Sequence, residues 1–388
     1  MTWWKVYKII KENDIITEAC RPYLISSSIY RYSSYGGNHP LAIPRVAAAF
    51  DLISSLNMRS LDRYCTAPQA KPALLKTFHA PEYIAALKRA EDTQKISEHD
   101  QKRYQLGTVS NPIFKGMFAR PATSVGSSLL AAELVANGGV AYAMGGGLHH
   151  GLTDRANGFC FLNDLVFAIL RLRSLGVERI AYVDLDAHHC DGVQAAFSGD
   201  RDLLMISTHE AKRWPFTGGL SENIIDQQMN IPLLKNCNNE EFNLFMEDCV
   251  FPALARFAPE AIIIQGGADA VCDDPLSRLG LSNYTLWNAV KRLKEMCDKI
   301  ILTGGGGYNP WTVARLWAGF WLVLNDRSPF IELPSGAQRG LESLSWQRKL
   351  RPSRDLITQL YDTPPEKAQI IRPETAALAK HIRNLHAL

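Results

Sequence analysis

"RIAYVDLDAHHCDGV" (residues 179–193) carries a short apolar run directly into three aspartates and two histidines. The run is β-branched and aromatic, as in a strand covered on both faces. The polar residues then fall where such a strand ends. In open α/β sheets ligands bind beyond the carboxyl ends of the strands. The stretch therefore predicts a strand and a functional site together.

Four more stretches have the same character: "VAYAM" (140–144), "DLLMIS" (202–207), "EAIIIQ" (260–265) and "KIILT" (299–303). Helical patterns lie between them. In "NDLVFAILRLRSLG" (163–176), Asn163 or Asp164 can cap the start and Gly176 stops the helix. "PATSVGSSLLAAELVANGG" (121–139) reads the same way. The alternation predicts an α/β fold, one domain over residues 1–388 with a mostly parallel central sheet flanked by helices. Its core spans about 20–330, and 331–388 form a C-terminal elaboration. The five strands are followed by "GGGLHH", "DAHHCDG", "THE", "GGADAVCDDP" and "GGGGYNP". Such loops converging on one rim predict an active site there.

Composition narrows the function. The chain has 388 residues and a net charge of +3, too weak to suggest a nucleic-acid partner. No window is apolar over the length of a membrane span. The opening "MTWWKVYKIIKENDII" (1–16) is broken by charges and is no signal-peptide core. Eight cysteines form no CxxC pair, which removes zinc ribbons and thioredoxin-like sites. They read as reduced thiols of a cytoplasmic protein, with a secreted effector as the alternative.

Asp186 and His188, one residue apart beyond a strand, can point the same way, and Asp269 at another strand end can close a three-ligand set. Two carboxylates and an imidazole suit zinc, with a coordination position left open for water or substrate; manganese or iron are the other metals such ligands admit. His149 and His150 end a third strand, where one imidazole can take a proton and the other give one. Asp184 and Asp191 are available to orient them. Tyr308, after four glycines, can donate to a developing oxyanion.

In this order and spacing, "GGGLHH…GFCFLND", "YVDLDAHHCDGV", "GGAD…DDP" and "GGGGYN" resemble the histone deacetylase family of metal-dependent amidohydrolases. The resemblance runs from "HPLAIPRV" (39–46) to "GGGGYNPWTVARLWAGF" (304–320). It is closer to the class I branch and the bacterial acetoin-utilization proteins than to the acetylpolyamine amidohydrolases. It implies an arginase/deacetylase-like fold and one Zn²⁺ per chain, on Asp186, His188 and Asp269. His149 would pair with Asp184 and His150 with Asp191, with His150 the general base. Phe159, Trp214, Gly158 and Leu276 would line a substrate channel, and Arg45 would lie at an internal acetate pocket. A K⁺ site would use Asp184, Asp186, His188, Ser207 and Thr208. The implied substrate is an acylated lysine in a protein or peptide, or a small acetylated amine or polyamine.

Two positions depart from the family pattern. Cys190 replaces a common glycine, as an oxidation-sensitive thiol or a tolerated small residue. Ser110 stands where relatives carry a rim aspartate that fastens substrate backbone. Two rival readings are a catalytically silent acyl-lysine-binding pseudoenzyme and a binuclear manganese ureohydrolase. The second needs another aspartate where this chain has Val271.

Overall fold

The computed structural model describes residues 21–32, 35–37, 39–58, 63–347, 352–366 and 369–388. The opening segment 1–16 and Cys20 lie outside the described residues. Eight strands are present among the described residues: β1 Tyr23–Ser26, β2 Tyr64–Thr66, β3 Gly139–Ala143, β4 Ile180–Asp184, β5 Leu203–Glu210, β6 Gln228–Leu233, β7 Ala261–Gln265 and β8 Lys299–Thr303. They form one sheet in the order β2-β1-β3-β8-β7-β4-β5-β6, and every pairing is parallel. Helices flank it, as the alternation predicts.

All five predicted strands form, with one correction. β5 continues to Glu210, so Ser207, Thr208 and the "THE" stretch lie within the strand and not in a loop. The cause is β6, which pairs with it from Met205↔Gln228 as far as Glu210↔Leu233. β6 itself, "QMNIPL", was hidden by Pro232, a residue tolerated at a sheet edge. β1 and β2 have only four and three residues, too short for a periodic signal.

The register positions the site. Ala143 pairs with Thr303, Thr303 with Gln265, and Gln265 with Asp184. The adjacent strands β3, β8, β7 and β4 therefore end level with one another, and their loops leave from one line. The chain passes from β3 to β4 three places away, and β7 and β8 later fill the gap. That change of direction makes a crevice at the carboxyl ends.

Alternate residues of β4 face opposite cores. Ala181 and Val183 join one with the helix Pro310–Leu324, while Ile180 and Tyr182 join another with the helices Ala119–Val135 and Asp164–Ser174. Asn163 is the N-cap of the last, its side chain accepting from the Val166 N–H at 3.2 Å. The C-terminal stretch is fastened to the first core. Ile357, Leu360, Ala379 and Ile382 are buried in it. The buried Arg315 guanidinium donates to Asp362 at 2.8 Å and to the Gln359 carbonyl at 3.0 Å.

Candidate active site

The loop after β4 turns so that its own N–H groups bind its aspartates. The His188 N–H donates to Asp186 Oδ1 at 3.0 Å, and the Ala187 N–H to Asp269 Oδ1 at 3.0 Å. Asp186 Oδ2 accepts from Gly306 N–H at 2.7 Å and from Gln265 Nε2 at 2.9 Å. These bonds fix both carboxylates, leaving Asp186 Oδ1 and Asp269 Oδ2 at 3.1 and 3.0 Å from His188 Nδ1. Gly306 is required, since a Cβ there would overlap the Asp269 carboxylate.

Ligand atoms of Asp186, His188 and Asp269 all lie within 4.8 Å of one another. Both carboxylates are fully buried. Burial alone disfavours charge on His188, yet its bonds to Asp186 and Asp269 outweigh this and push it up to about 10. The two carboxylates thus demand positive charge at one point, and a divalent cation meets that demand better than a proton. The donor set fits a metal. It is the only such grouping among the described residues, and Val271 is a buried apolar residue. Among the described residues there is no second set for a binuclear centre.

The two histidines at 149 and 150 sit beside this triad with ring centroids 3.9 Å apart. His149 Nδ1 lies 2.7 Å from Asp184 Oδ2, and His150 Nδ1 lies 2.6 Å from Asp191 Oδ1. Asp184 also accepts from the Tyr182 hydroxyl, and Asp191 from Asn157 Nδ2 at 2.8 Å. Their environments separate them. Burial opposes charge on His149, but Asp184 and Asp186 prevail and raise it to about 9. Burial and the neighbouring His149 charge lower His150 to about 4. One ring is poised to hold a proton and the other to take one.

Tyr308 is nearly buried, and burial followed by the Asp269 and Asp186 charges raises its phenol well above the usual range. It stays a donor at any working pH. Its backbone N–H donates to Asp274 Oδ2 at 2.7 Å, and the Leu276 N–H donates to Asp274 Oδ1 at 2.9 Å. Asp274 thereby ties the backbones of Tyr308 and Leu276 together.

Phe159 meets Tyr308 edge-on at 5.9 Å, and Trp214 meets His150 edge-on at 4.7 Å. Phe159 has φ 69°, held by its N–H to Asn111 Oδ1 at 3.1 Å and its carbonyl accepting from the Tyr35 hydroxyl at 3.2 Å. Gly158 precedes it at φ 51°, and a Cβ there would overlap both Trp214 and His150. Leu276, like Phe159, packs against the apolar cluster that includes Tyr308. Arg45 Nη1 donates to the Gly305 carbonyl at 2.5 Å, just behind the loop bearing Tyr308. Thr208 Oγ1 donates to the Asp184 carbonyl at 3.2 Å. His209 Nε2 donates to the Gly218 carbonyl at 3.0 Å, so its Nδ1 accepts from Ser207 Oγ at 3.0 Å. The hydroxyl oxygen of Ser207 keeps lone pairs beside Asp184, its register partner.

Cys190 is buried, and burial pushes its thiol well up. It is a packed small residue and not a reactive thiolate. Ser110 is exposed, with its carbonyl accepting from His39 Nε2 at 3.2 Å. Sequence reading missed Gln265, Tyr182, Asn157 and Asp274. Gln265 had a signal, a lone amide closing an otherwise apolar strand. In the sequence Asp164 carries only the signal of a cap. Its buried carboxylate instead accepts from Ser128 Oγ at 2.5 Å and from the Leu148 N–H at 2.7 Å, holding the loop that presents the histidines.

Comparison with known proteins places this geometry. The family model for the histone deacetylase domain matches residues 39–324. The acetoin utilization protein AcuC of Bacillus subtilis is 32% identical over 375 residues, covering 92% of this chain and 95% of that protein. A putative histone deacetylase 2 of Caenorhabditis elegans is 30% identical, covering 73% of this chain and 57% of its own. The crystal structure of an HDAC homolog from Aquifex aeolicus superposes with a TM-score of 0.87 at 32% identity, covering 94% of this chain and 100% of that chain. A crystal structure of an HDAC homolog complexed with SAHA gives 0.88 at 32% identity and the same coverage. The chain therefore belongs to the histone deacetylase family, as an AcuC-like member of this group of amide-cleaving hydrolases.

Proposed function

We propose that the protein removes the acyl group from an N-acylated lysine side chain in a protein or peptide, with one zinc ion held by Asp186, His188 and Asp269. The observation that carries this reading is a metal-competent triad flanked by two histidines pushed in opposite directions. A zinc ion bound there supplies Lewis acidity at the acyl carbonyl and lowers the pKa of water. The side chains do the rest. His150 gives its Nδ1–H to Asp191, so Nε2 carries the lone pair that removes a proton from the attacking water. The Tyr308 hydroxyl donates to the carbonyl oxygen as it gains charge. His149, held protonated by Asp184, yields its Nε2 proton to the departing amine. Phe159, Trp214, Gly158 and Leu276 grip the apolar stem of the side chain. A K⁺ ion beside Asp184, with Asp186, His188, Ser207 and Thr208, belongs to the same reading. So does the cytoplasm of a bacterium, supported by free thiols at the described cysteines and by the bacterial AcuC relatives.

One observation favours a second substrate class. Ser110 offers no carboxylate at the rim to hold a peptide backbone, which suits a small acetylated amine. The test is deacylation of an acetyl-lysine peptide and of an acetylated polyamine, with bound metal counted in the same sample. The expected result is one zinc per chain and turnover of the peptide. Turnover of the polyamine alone would shift the substrate class. Full zinc without turnover of any acylated amine would overturn the enzyme in favour of a binding protein.

The pH profile follows from the histidine pair. His150 is neutral above about 4, so activity falls as pH drops toward that value and the base gains its proton. His149 keeps its proton up to about 9, so activity falls again as pH rises through that range. Part of that second value comes from Asp186, whose charge a metal shares, so the alkaline limb is expected at or below 9. Asp184→Asn removes the nearest carboxylate and should move the alkaline limb downward while leaving the acid limb in place. An unmoved alkaline limb would take His149 out of the role of acid.

A further inference from the structure

Residues 211–219, which leave β5 and carry Trp214 to the channel, are held at both ends. The Ala211 N–H donates to the Leu233 carbonyl of β6 at 2.8 Å, and Arg213 Nη2 donates to Glu210 Oε1 at 3.0 Å. At the far end two buried histidines outside the catalytic pair hold the chain. Gln194 Nε2 donates to Glu222 Oε2 at 2.8 Å, which turns its Oε1 toward His189 Nε2, also at 2.8 Å. That nitrogen carries the proton of a ring kept neutral by burial, and Nδ1 accepts from the Thr217 hydroxyl at 2.8 Å. His209 Nε2 holds the carbonyl of the next residue, Gly218. A Cβ on Gly218 would overlap both rings. Glu222 Oε1 accepts from the Gly219 N–H at 2.9 Å.

Between these anchors the chain keeps a conformation that its sequence disfavours. Phe216 has φ 64°, in the left-handed region that is unfavourable to any residue with a Cβ and most of all to a bulky one. Its N–H donates to the Arg213 carbonyl at 2.8 Å, which closes a turn around Trp214. The ring presented this way is 75% exposed. A large apolar ring is better buried than left in water, so the fixed loop sets both the backbone and the side chain against their own preferences. Outliers of this kind persist where the surroundings over-determine them, and they collect at ligand clamps. The position of the ring fits that use. Trp214, two residues back, forms the channel wall against His150 and is itself partly exposed. At the opposite wall Val109 is 94% exposed, two residues before the Asn111 side chain that holds Phe159. Each wall of the channel therefore has an exposed apolar residue two positions along the chain from the residue that forms or holds it.

We propose that Phe216 is a specificity residue that packs against an apolar side chain next to the acyl-lysine, so that the preferred substrates are peptides in which aromatic or large aliphatic residues flank the modified lysine. The proposal rests on the amidohydrolase reading above and favours its peptide branch. A small acetylated amine has no neighbouring residue to reach the ring, whereas a peptide chain leaving the channel beside Trp214 passes it. Covering the ring with substrate removes from water the apolar surface that the loop holds there.

The test compares kcat/KM for acetyl-lysine peptides with phenylalanine or with glycine on both sides of the modified residue, and for an acetyl-lysine with blocked ends and no neighbours. The proteins are the wild-type holoenzyme, Phe216→Gly and Phe216→Leu. Glycine adopts φ 64° freely, so F216G removes the ring without asking the loop to move. In the wild type the phenylalanine-flanked peptide should exceed the glycine-flanked one by about 3- to 10-fold, the range for half-burying a phenyl ring. That preference should vanish in F216G and survive in part in F216L, while the lysine without neighbours is turned over equally by all three. Calorimetric binding of both peptides to Tyr308→Phe, with and without F216G, reads the same preference without turnover. Equal values for the two peptides in the wild type, or a preference unchanged by F216G, overturn the proposal. Phe216-dependent binding of the phenylalanine-flanked peptide with no turnover of any substrate would sustain the contact and sink the hydrolase. Sedimentation that shows the wild type self-associating and F216G monomeric, with no preference between the peptides, would give the ring to a second copy of the chain and overturn the specificity role.

Discussion

Asp269→Asn should leave the protein folded, strip its metal and lower turnover by about 10³-fold or more, the scale of a lost Lewis acid. The fold survives because asparagine keeps the oxygen that accepts from the Ala187 N–H at 3.0 Å. What disappears is the charge facing His188 Nδ1. In the metal-free parent His188 is held by both carboxylates, and the variant leaves it only Asp186, so the metal-free variant should be no more stable than the metal-free parent. The larger difference lies in what zinc does to each. A ligand bound only by the native state raises stability with its concentration, and this rise should vanish in the variant. Melting temperature with and without zinc, together with metal content, reads both effects. A variant that keeps one zinc per chain and more than a tenth of the parent turnover would remove Asp269 from the ligand set.

The same contrast between local signal and long-range contact explains what could be read from the sequence. The five central strands were legible because each is a short apolar run ending in glycine or charged residues. The triad was legible because spacing along one loop and position at two strand ends are both local facts. β6 was not, since its place depends on pairing with β5 and not on its own composition. Gln265, Asp164 and Asp274 share that origin. Each is a polar residue with a partner on another element, 79, 36 and 34 positions away. The candidate site residues were advertised by clustering, whereas the groups that hold them in place were scattered.

Tyr308→Phe isolates the one donor that the metal cannot replace. Phenylalanine keeps the ring that meets Phe159 at 5.9 Å and removes only the hydroxyl. The backbone stays fixed, because the N–H of residue 308 rather than its side chain is what Asp274 holds at 2.7 Å. Metal ligands are untouched, so zinc content should match the parent. The hydroxyl matters only when the carbonyl oxygen gains charge, so kcat should fall by about 10²- to 10³-fold while KM changes little. A phenol raised well above its usual range by burial adds no titration of its own below the tyrosine range. The residual activity of the variant should accordingly keep the limbs set by His150 and His149. Turnover within threefold of the parent, at equal zinc, would mean that the oxyanion is held by something other than Tyr308. A changed pH profile with the same fall would instead show that the hydroxyl tunes the histidine pair, and the proton bookkeeping would have to be redrawn around it.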